Sequence, residues 1–265
     1  MKSINLWVIL LLVSLFSGCG ESTNVKMESQ DYSQVNEYVP DKMAENNMLR
    51  GIEYMRLGMY DVALNKLEMA IKLDEKYAEG HNALAVLHER LGQNDRARQH
   101  YEKAVVLKPL DSDIQNNYGQ FLCKRKQGQW QEADAHFRTA VENPVYRTPE
   151  IPYTNAGMCA LRNNHLEQAE GYLRKALQIN SQFVPALHNM AILSYDRRRY
   201  TLAQDYLQRY LKVAKQTSQT LWLGIRIARA LNDRDTEASY ARLLRSQFPD
   251  SDETASLDRS SVVPK

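Results

Sequence analysis

A repeat in the middle of this 265-residue chain constrains its fold more than any other feature of the sequence. Leu57–Asp74 reads LGMYDVALNKLEMAIKLD, and Leu91–Lys108, which begins 34 residues later, reads LGQNDRARQHYEKAVVLK. Both copies place glycine and alanine at the same offsets: Gly58 and Gly92, Ala63 and Ala97, Ala70 and Ala104. Small residues at fixed offsets, combined with helical apolar spacing, indicate stacked helix-turn-helix units in which helix backbones approach closely.

The length of the repeat is typical of tetratricopeptide units, so we predict an all-α protein, a right-handed superhelix of about six such repeats. The chain has only 11 Gly and 8 Pro and no alternating Val/Ile/Thr runs, which suits an almost entirely helical protein. We expect the array to occupy residues 41–249. Its units lie near 44–77, 78–111, 112–147, 150–183, 184–217 and 218–249, and residues 250–265 are expected to be a disordered, polar C-terminal tail.

The first 18 residues have the organisation of a signal peptide. Met1 and Lys2 supply a positive start, and Ile4–Phe16 is an apolar run that is too short for a comfortable membrane span. We therefore expect residues 1–18 to be absent from the mature protein. The polar residues 19–40 lack helical periodicity and are predicted to be a flexible tether.

The end of the signal, Leu15-Phe16-Ser17-Gly18-Cys19, resembles the lipobox of bacterial lipoproteins. That resemblance implies that Cys19 carries acyl chains such as palmitate and becomes the new N-terminus, although Phe16 departs from the usual leucine. Gly20 follows the cysteine, and the resemblance then implies sorting to the periplasmic face of the outer membrane. The alternative is an ordinary cleaved secretory signal with an incidental cysteine.

The chain has two further cysteines, Cys123 and Cys159. If the protein is exported, as the signal peptide implies, they lie in an oxidising compartment. The repeat places them on the first helices of successive units, where a Cα separation compatible with a disulfide is possible. They form a candidate disulfide. The alternative is a pair of small buried thiols that pack as apolar side chains.

The sequence contains no motif of a catalytic or metal site. The histidines belong to no metal-binding pattern, and there is no phosphate loop, nucleophile elbow or catalytic carboxylate pair. His81 and His88 share a helix face, but without a third ligand a structural role is favoured over a metal pair. We therefore expect no enzyme, no metal and no cofactor. Lys plus Arg is 34 against 32 for Asp plus Glu, a balance that does not favour nucleic acid.

The feature most suited to function is the concave groove that the first helices of such an array line. Tetratricopeptide positions place ten candidate partner contacts there: Met48, Ile52, Met55, Arg56, Asn82, Val86, Glu89, Arg90, Asn116 and Gln120. Methionines and branched aliphatics rimmed by basic residues suit an amphipathic helix or an extended segment. The alternative is that several of these side chains only pack against neighbouring helices or the tether.

Together these features resemble the type IV pilus biogenesis lipoproteins, the pilotins of the PilF/PilW family. The resemblance rests on Ser17-Gly18-Cys19, on NMLRGIEYMRLGMYDVALNKLEMAI (47–71), on AEGHNALAVLHERLGQNDRARQHYEKAV (78–105) and on the contexts of Cys123 and Cys159. It implies a monomeric, lipid-anchored outer-membrane protein that binds the pilus secretin and promotes its outer-membrane localisation and multimerisation, supporting twitching motility. The alternative is a tetratricopeptide lipoprotein that serves barrel assembly or cell-wall enzymes.

Overall fold

The computed structural model describes residues 40–125 and 129–262, and in these residues the regular structure is entirely helical. Cys19, the signal peptide and the tether up to residue 39 lie outside the described residues. The described residues contain thirteen helices, of which the first twelve form six consecutive antiparallel pairs. They are α1 (Pro40–Arg56), α2 (Tyr60–Leu73), α3 (Ala78–Arg90), α4 (Asn94–Leu107), α5 (Ser112–Cys123), α6 (Trp130–Glu142), α7 (Glu150–Arg162), α8 (Leu166–Ile179), α9 (Val184–Asp196), α10 (Tyr200–Val213), α11 (Ser218–Ala230), α12 (Arg234–Gln247) and α13 (Asp252–Val262).

Each pair is one tetratricopeptide unit, and the units stack because first helices contact one another along the array. Thus α1 contacts α3, α3 contacts α5, and α5 contacts α7, while each second helix also packs on the first helix of the following unit. This nearest-neighbour pattern produces the predicted superhelix of six repeats, since each unit can bury its apolar faces only against the adjacent ones.

The close approach inside a unit depends on a small residue in the first helix opposite a large one in the second. Gly119 faces Phe137, Gly157 faces Leu173 and Gly224 faces Tyr240; a Cβ built on any of these glycines would lie within 3.0 Å of the opposing side chain. Phe137 and Leu173 are completely or almost completely buried. Gly224 therefore gives unit six the same contact, although the rest of its sequence departs from the repeat.

A left-handed residue lets the chain reverse between the two helices of a unit. Gly58 and Gly92 have φ of 75° and 73° in the first two units. In units four to six the same conformation is adopted by Asn164 (60°), Arg198 (59°) and Asn232 (58°). The turn geometry is thus retained where glycine is missing, at a conformational cost that L-residues other than Asn rarely accept.

The prediction of a disordered tail from residue 250 is wrong for most of that segment, because α13 covers the end of the array. Leu257 is only 2% exposed and joins Leu221, Ile225 and Leu244 in one apolar cluster. Ser251 accepts a hydrogen bond from the backbone N–H of Thr254 at 3.2 Å and so begins the helix. The tail folds because one buried leucine and a capped first turn suffice when a ready apolar surface is available.

The seam between units three and four is crossed by a covalent bond. Pro149 and Pro152 stand at the start of α7, where a proline without an N–H is tolerated. A disulfide joins Cys123 at the end of α5 to Cys159 in α7, with their Cα atoms 5.7 Å apart. The bridge therefore ties the first helices of the two units together across this seam.

Candidate functional site

Two adjoining cavities lie along the first helices of units two to four. The first is lined by Val86, Glu89, Arg90, Tyr101, Asn117, Gln120 and Lys124. The second is lined by Gln120, Cys123, Lys124, Phe137, Asn155, Met158, Cys159 and Arg162. Because Gln120 and Lys124 belong to both, we treat the two cavities as one surface, which we call the α3/α5/α7 channel.

The α3/α5/α7 channel repeats with the fold, because equivalent positions of successive first helices stand side by side. Arg90, Lys124 and Arg162 each lie at the C-terminal end of a first helix and form a basic row. Four residues earlier, one helical turn away, Val86, Gln120 and Met158 form the floor. Basic side chains are favourable at helix C-termini. Because the ends of successive first helices stand side by side, these cations form an aligned row.

Asparagines line the other side of the channel in a hydrogen-bonded chain across three helices. Asn117 Nδ2 donates to Asn82 Oδ1 at 3.4 Å, and Asn116 Nδ2 donates to Asn117 Oδ1 at 3.5 Å. Asn155 Nδ2 donates to Asn116 Oδ1 at 2.8 Å. A carboxamide has two N–H groups and an acceptor oxygen, so these contacts leave donors and acceptors on Asn117 and Asn155 for a ligand.

The charge of the channel is positive. Glu89, the one carboxylate among the described residues that line it, accepts hydrogen bonds from Lys124 Nζ at 2.7 Å and from the Tyr101 hydroxyl at 3.1 Å. Burial, followed by the Glu89 charge, raises the pKa of Tyr101, which keeps its hydroxyl a donor. Arg90 and Arg162 have no ion pair within the described part of the chain. Three cations against one carboxylate leave a net charge of +2, which favours an anionic ligand.

Known proteins similar to this chain have the same architecture. Tetratricopeptide repeat profiles match residues 48–112 and 152–183. The type IV pilus assembly protein PilF of Pseudomonas aeruginosa is 30% identical over 244 residues, which cover 92% of this chain and 93% of PilF. This chain belongs to the PilF/PilW family of type IV pilus biogenesis proteins.

Solved structures of the PilF/PilW family agree with the fold described above. The crystal structure of PilW, described as a widely conserved type IV pilus biogenesis factor, superposes with a TM-score of 0.75 at 31% identity, covering 81% of this chain and 97% of PilW. A structure of Pseudomonas aeruginosa PilF gives the same TM-score at 29% identity and covers 83% of this chain and 99% of PilF. These relatives and this chain therefore share one tetratricopeptide architecture.

Four of the ten candidate contacts line the channel of this PilF/PilW family member: Val86, Glu89, Arg90 and Gln120. Asn82 and Asn116 belong to the asparagine chain beside it, although Asn116 is only 5% exposed. In unit one, Ile52 is partly buried against the core, and Arg56 is exposed beside Glu53 at 3.6 Å.

The expectation that Met48 and Met55 face a partner is wrong. Met48 is 9% and Met55 6% exposed, and both pack in a cluster with Leu67, Leu84 and Leu87. These methionines fill the junction of units one and two, where α1, α2 and α3 meet. The flexible thioether side chain suits an irregular internal gap as well as a binding surface.

Asn117 and Asn155 are channel residues that the sequence reasoning missed. Each stands three residues before the floor positions Gln120 and Met158 and therefore on the same helix face. The recurrence of asparagine at one position of units three and four is the signal that identifies them. A separate cavity between α9, α11 and α13 includes Trp222, Arg226 and Glu253, and its α13 wall was not predicted from the sequence.

The histidines of unit two form a packed group rather than a coordination site. His81 and His100 share a hydrogen bond between their Nδ1 atoms at 2.9 Å, and His88 Nδ1 contacts Gln93 Oε1 at 2.8 Å. The His100 ring stacks between the other two. Among the described residues, no group of three or more His, Cys, Asp or Glu side chains is arranged to hold a metal ion.

Within residues 40–125 and 129–262, none of the helices combines the length and apolar character that crossing a bilayer requires.

Proposed function

We propose that this protein is an outer-membrane lipoprotein that binds the type IV pilus secretin and promotes its localisation and multimerisation at that membrane. The observation that carries the proposal is the similarity to PilF, a type IV pilus assembly protein, over nearly the whole length of both chains. A tetratricopeptide scaffold with an open, charged channel offers a means of binding another polypeptide.

The proposed mechanism combines an anchor with a binding surface. Acyl chains on Cys19 hold the protein at the periplasmic face of the membrane, each buried methylene contributing about 0.8 kcal/mol. The residues before Pro40 set how far the array reaches from that face. Binding a secretin segment in the α3/α5/α7 channel then raises the local concentration of secretin subunits where the ring assembles.

The anchor is tested by Cys19→Ser. We expect the variant to leave the outer-membrane fraction and to lower the amount of multimeric secretin there, as measured by membrane fractionation and gel electrophoresis of unheated samples. Gly20→Ser, which retains the cysteine, is the matched control and should behave as wild type. Normal secretin rings in the Cys19→Ser strain would rule out the anchor in this mechanism.

The channel is tested by photo-crosslinking in cells. A crosslinking amino acid at Gln120 should capture the secretin, whereas the same group at Arg242, an exposed residue of α12 outside the channel, should not. Capture of barrel-assembly subunits or cell-wall enzymes in place of the secretin would favour the alternative scaffold function. Equal capture of secretin from both positions would contradict the channel as the contact surface.

A further inference from the structure

The spacing of the basic row in the α3/α5/α7 channel limits which ligands can pair with all of its cations. Arg90, Lys124 and Arg162 occupy equivalent ends of neighbouring packed helices. Packed helix axes lie roughly 8–10 Å apart, so the three cations recur at about that interval. A ligand that pairs with all three must present its negative charges at the same interval along one side.

An extended polypeptide satisfies this interval. A chain in the polyproline II conformation rises about 3.1 Å per residue with three residues per turn, so every third side chain returns to the same side after roughly 9 Å. Carboxylates at every third residue would therefore face the three cations in turn. Arg90 and Arg162 have no ion pair within the described residues, although Arg90 Nη1 donates to the Met55 carbonyl at 3.5 Å. Lys124 already pairs with Glu89, and its ammonium group has two further N–H donors for a ligand carboxylate.

The asparagine chain favours the same conformation. An α-helix uses its own backbone N–H and C=O groups, whereas a polyproline II segment has no internal hydrogen bonds and leaves these groups free. Asn117 and Asn155 line the channel opposite the basic row and retain unused carboxamide donors and acceptors. They can bind the main chain of an extended ligand while the cations bind its side chains.

We propose that the α3/α5/α7 channel binds an extended acidic segment of a partner protein, with carboxylates at every third residue on Arg90, Lys124 and Arg162 and the main chain on Asn117 and Asn155. The proposal rests on the proposed function only in assigning that segment to the secretin. Unit five ends the basic row, because Asp196 stands where the earlier first helices end in a cation. At the other end, Arg56 holds the equivalent position of α1, but it pairs with Glu53 and lines neither cavity. The binding segment therefore spans units two to four.

The first test uses synthetic peptides and the folded array. A fluorescent peptide of about nine residues, with aspartate at every third position and proline and alanine between, spans roughly 28 Å in this conformation. We expect saturable binding by fluorescence anisotropy, weakened by salt. A peptide with its aspartates in one block should bind more weakly, and one with lysine in place of aspartate should not bind. No binding of the spaced peptide, or equal binding of the lysine peptide, overturns the proposal.

The second test uses matched variants. Arg162→Glu removes an exposed, unpaired channel cation and should raise the Kd for the spaced peptide at least about tenfold, because a repulsive charge replaces an attractive one. Arg242→Glu makes the same charge change on α12 and should leave Kd unchanged. Asn155→Ala should weaken the spaced and block peptides equally, since it acts on the main chain. Circular dichroism checks that each variant is folded. An unchanged Kd for Arg162→Glu overturns the proposal.

Secretin binding separates this inference from the proposed function. If wild-type protein and Arg162→Glu capture purified secretin equally well, the acidic-segment inference is wrong and the proposed function stands. If neither captures secretin while the spaced peptide binds the wild type alone, the proposed partner is wrong and the inference stands.

Discussion

At the scale of single residues, the turns between paired helices show how the fold persists through sequence change. Glycine at Gly58 and Gly92 adopts a positive φ without steric penalty, and the sequence predicted tight turns there. The sequence did not predict that Arg198 would adopt the same conformation, because a long β-carbon-bearing side chain disfavours it locally. The surrounding helix pair imposes the conformation, so tertiary packing outweighs the preference of one residue.

Arg198→Gly should stabilise the protein. Arg198 is exposed and makes no ion pair within the described residues, unlike its neighbours Arg197 and Arg199, which bind Glu170. Removing the Cβ relieves a conformational penalty of about 1–2 kcal/mol, partly offset by the greater freedom of glycine in the unfolded chain. We expect the free energy of unfolding in urea to rise by about 0.5–1 kcal/mol. The reciprocal Gly92→Arg should lower it, and a fall in both variants would contradict this explanation.

At the scale of helices, two glycines on neighbouring helices of unit four behave oppositely. A Cβ at Gly157 in α7 would lie 2.8 Å from Leu173 Cγ, whereas a Cβ at Gly171 in α8 would have nothing within 4 Å. Both glycines lower the intrinsic helix propensity of their helix. The contact made by Gly157 outweighs that penalty, because it allows α7 and α8 to approach.

Gly171→Ala should therefore raise the free energy of unfolding by about 0.8–1 kcal/mol, the helix-propensity difference alone. Gly157→Ala gains the same term but must displace the buried Leu173, an overpacking cost of about 1–3 kcal/mol. We expect a net loss of stability, measured by urea unfolding. Equal stabilisation by both substitutions would show that α7 and α8 separate easily.

The stacked histidines make unit two sensitive to acid. Burial, followed by the charges of His81 and His88 on α3, lowers the pKa of His100 from 6.5 to about 4; Lys103 and Arg96 on α4 act in the same direction. The unfolded chain takes up a proton near pH 6.5, but the folded chain does so only near pH 4. Stability contributed by neutral His100 is therefore complete above about pH 6.5 and is lost as the pH falls towards 4.

We expect the urea midpoint to fall between pH 7 and pH 4.5, and to fall less steeply in His100→Gln, which cannot be protonated. His165→Gln is the control because His165 is exposed at the N-cap of α8, where its ring stacks on Trp130 and not on another histidine. Its pH dependence should follow the wild type. If the urea midpoint depends on pH as steeply in His100→Gln as in the wild type, the acid sensitivity comes from other groups.

The helices themselves were predictable to different degrees. Apolar and small residues at fixed offsets predicted all six helix pairs, including the sixth, whose sequence departs most from the repeat. Helix α13 was not predictable in this way, since Leu257 is the one large apolar residue between Asp250 and Ser260. Its folding depends on a surface formed by Leu221 and Leu244, which are distant in sequence. The burial of Met48 and Met55 was missed for the same reason: position within a unit does not say how tightly the next unit packs.

At the scale of the whole molecule, the disulfide between Cys123 and Cys159 adds a covalent bond between units three and four, which otherwise meet through helix packing and hydrogen bonds such as that from Asn155 to Asn116. The 36-residue separation between the cysteines spans the remainder of unit three and the proline-containing seam. The repeat correctly predicted that these cysteines lie on neighbouring first helices. Whether they were bonded could not be deduced from periodicity, because free cysteines pack in similar positions.

The Cys123→Ala/Cys159→Ala variant should unfold more easily. Closing a loop of this size restricts the unfolded chain by about 3–4 kcal/mol in the chain-entropy description. We expect a comparable fall in the free energy of unfolding, with a similar fall when wild type is measured in reductant. Reductant should have no further effect on the variant. A variant as stable as the oxidised wild type would contradict this role.

Helix α13 also closes the C-terminal end of the stack of units. A stack of identical units could continue indefinitely, because each unit leaves an apolar face on which a further unit can pack. Leu257 of α13 covers that apolar face of unit six. Beside it, Arg245 Nη2 of α12 donates a hydrogen bond to Asp258 Oδ1 of α13 at 2.8 Å. A second copy of the chain consequently finds no vacant apolar face there on which to continue the superhelix. The number of units is thereby set at this end by the folded chain itself, and open-ended filament growth through unit six is blocked.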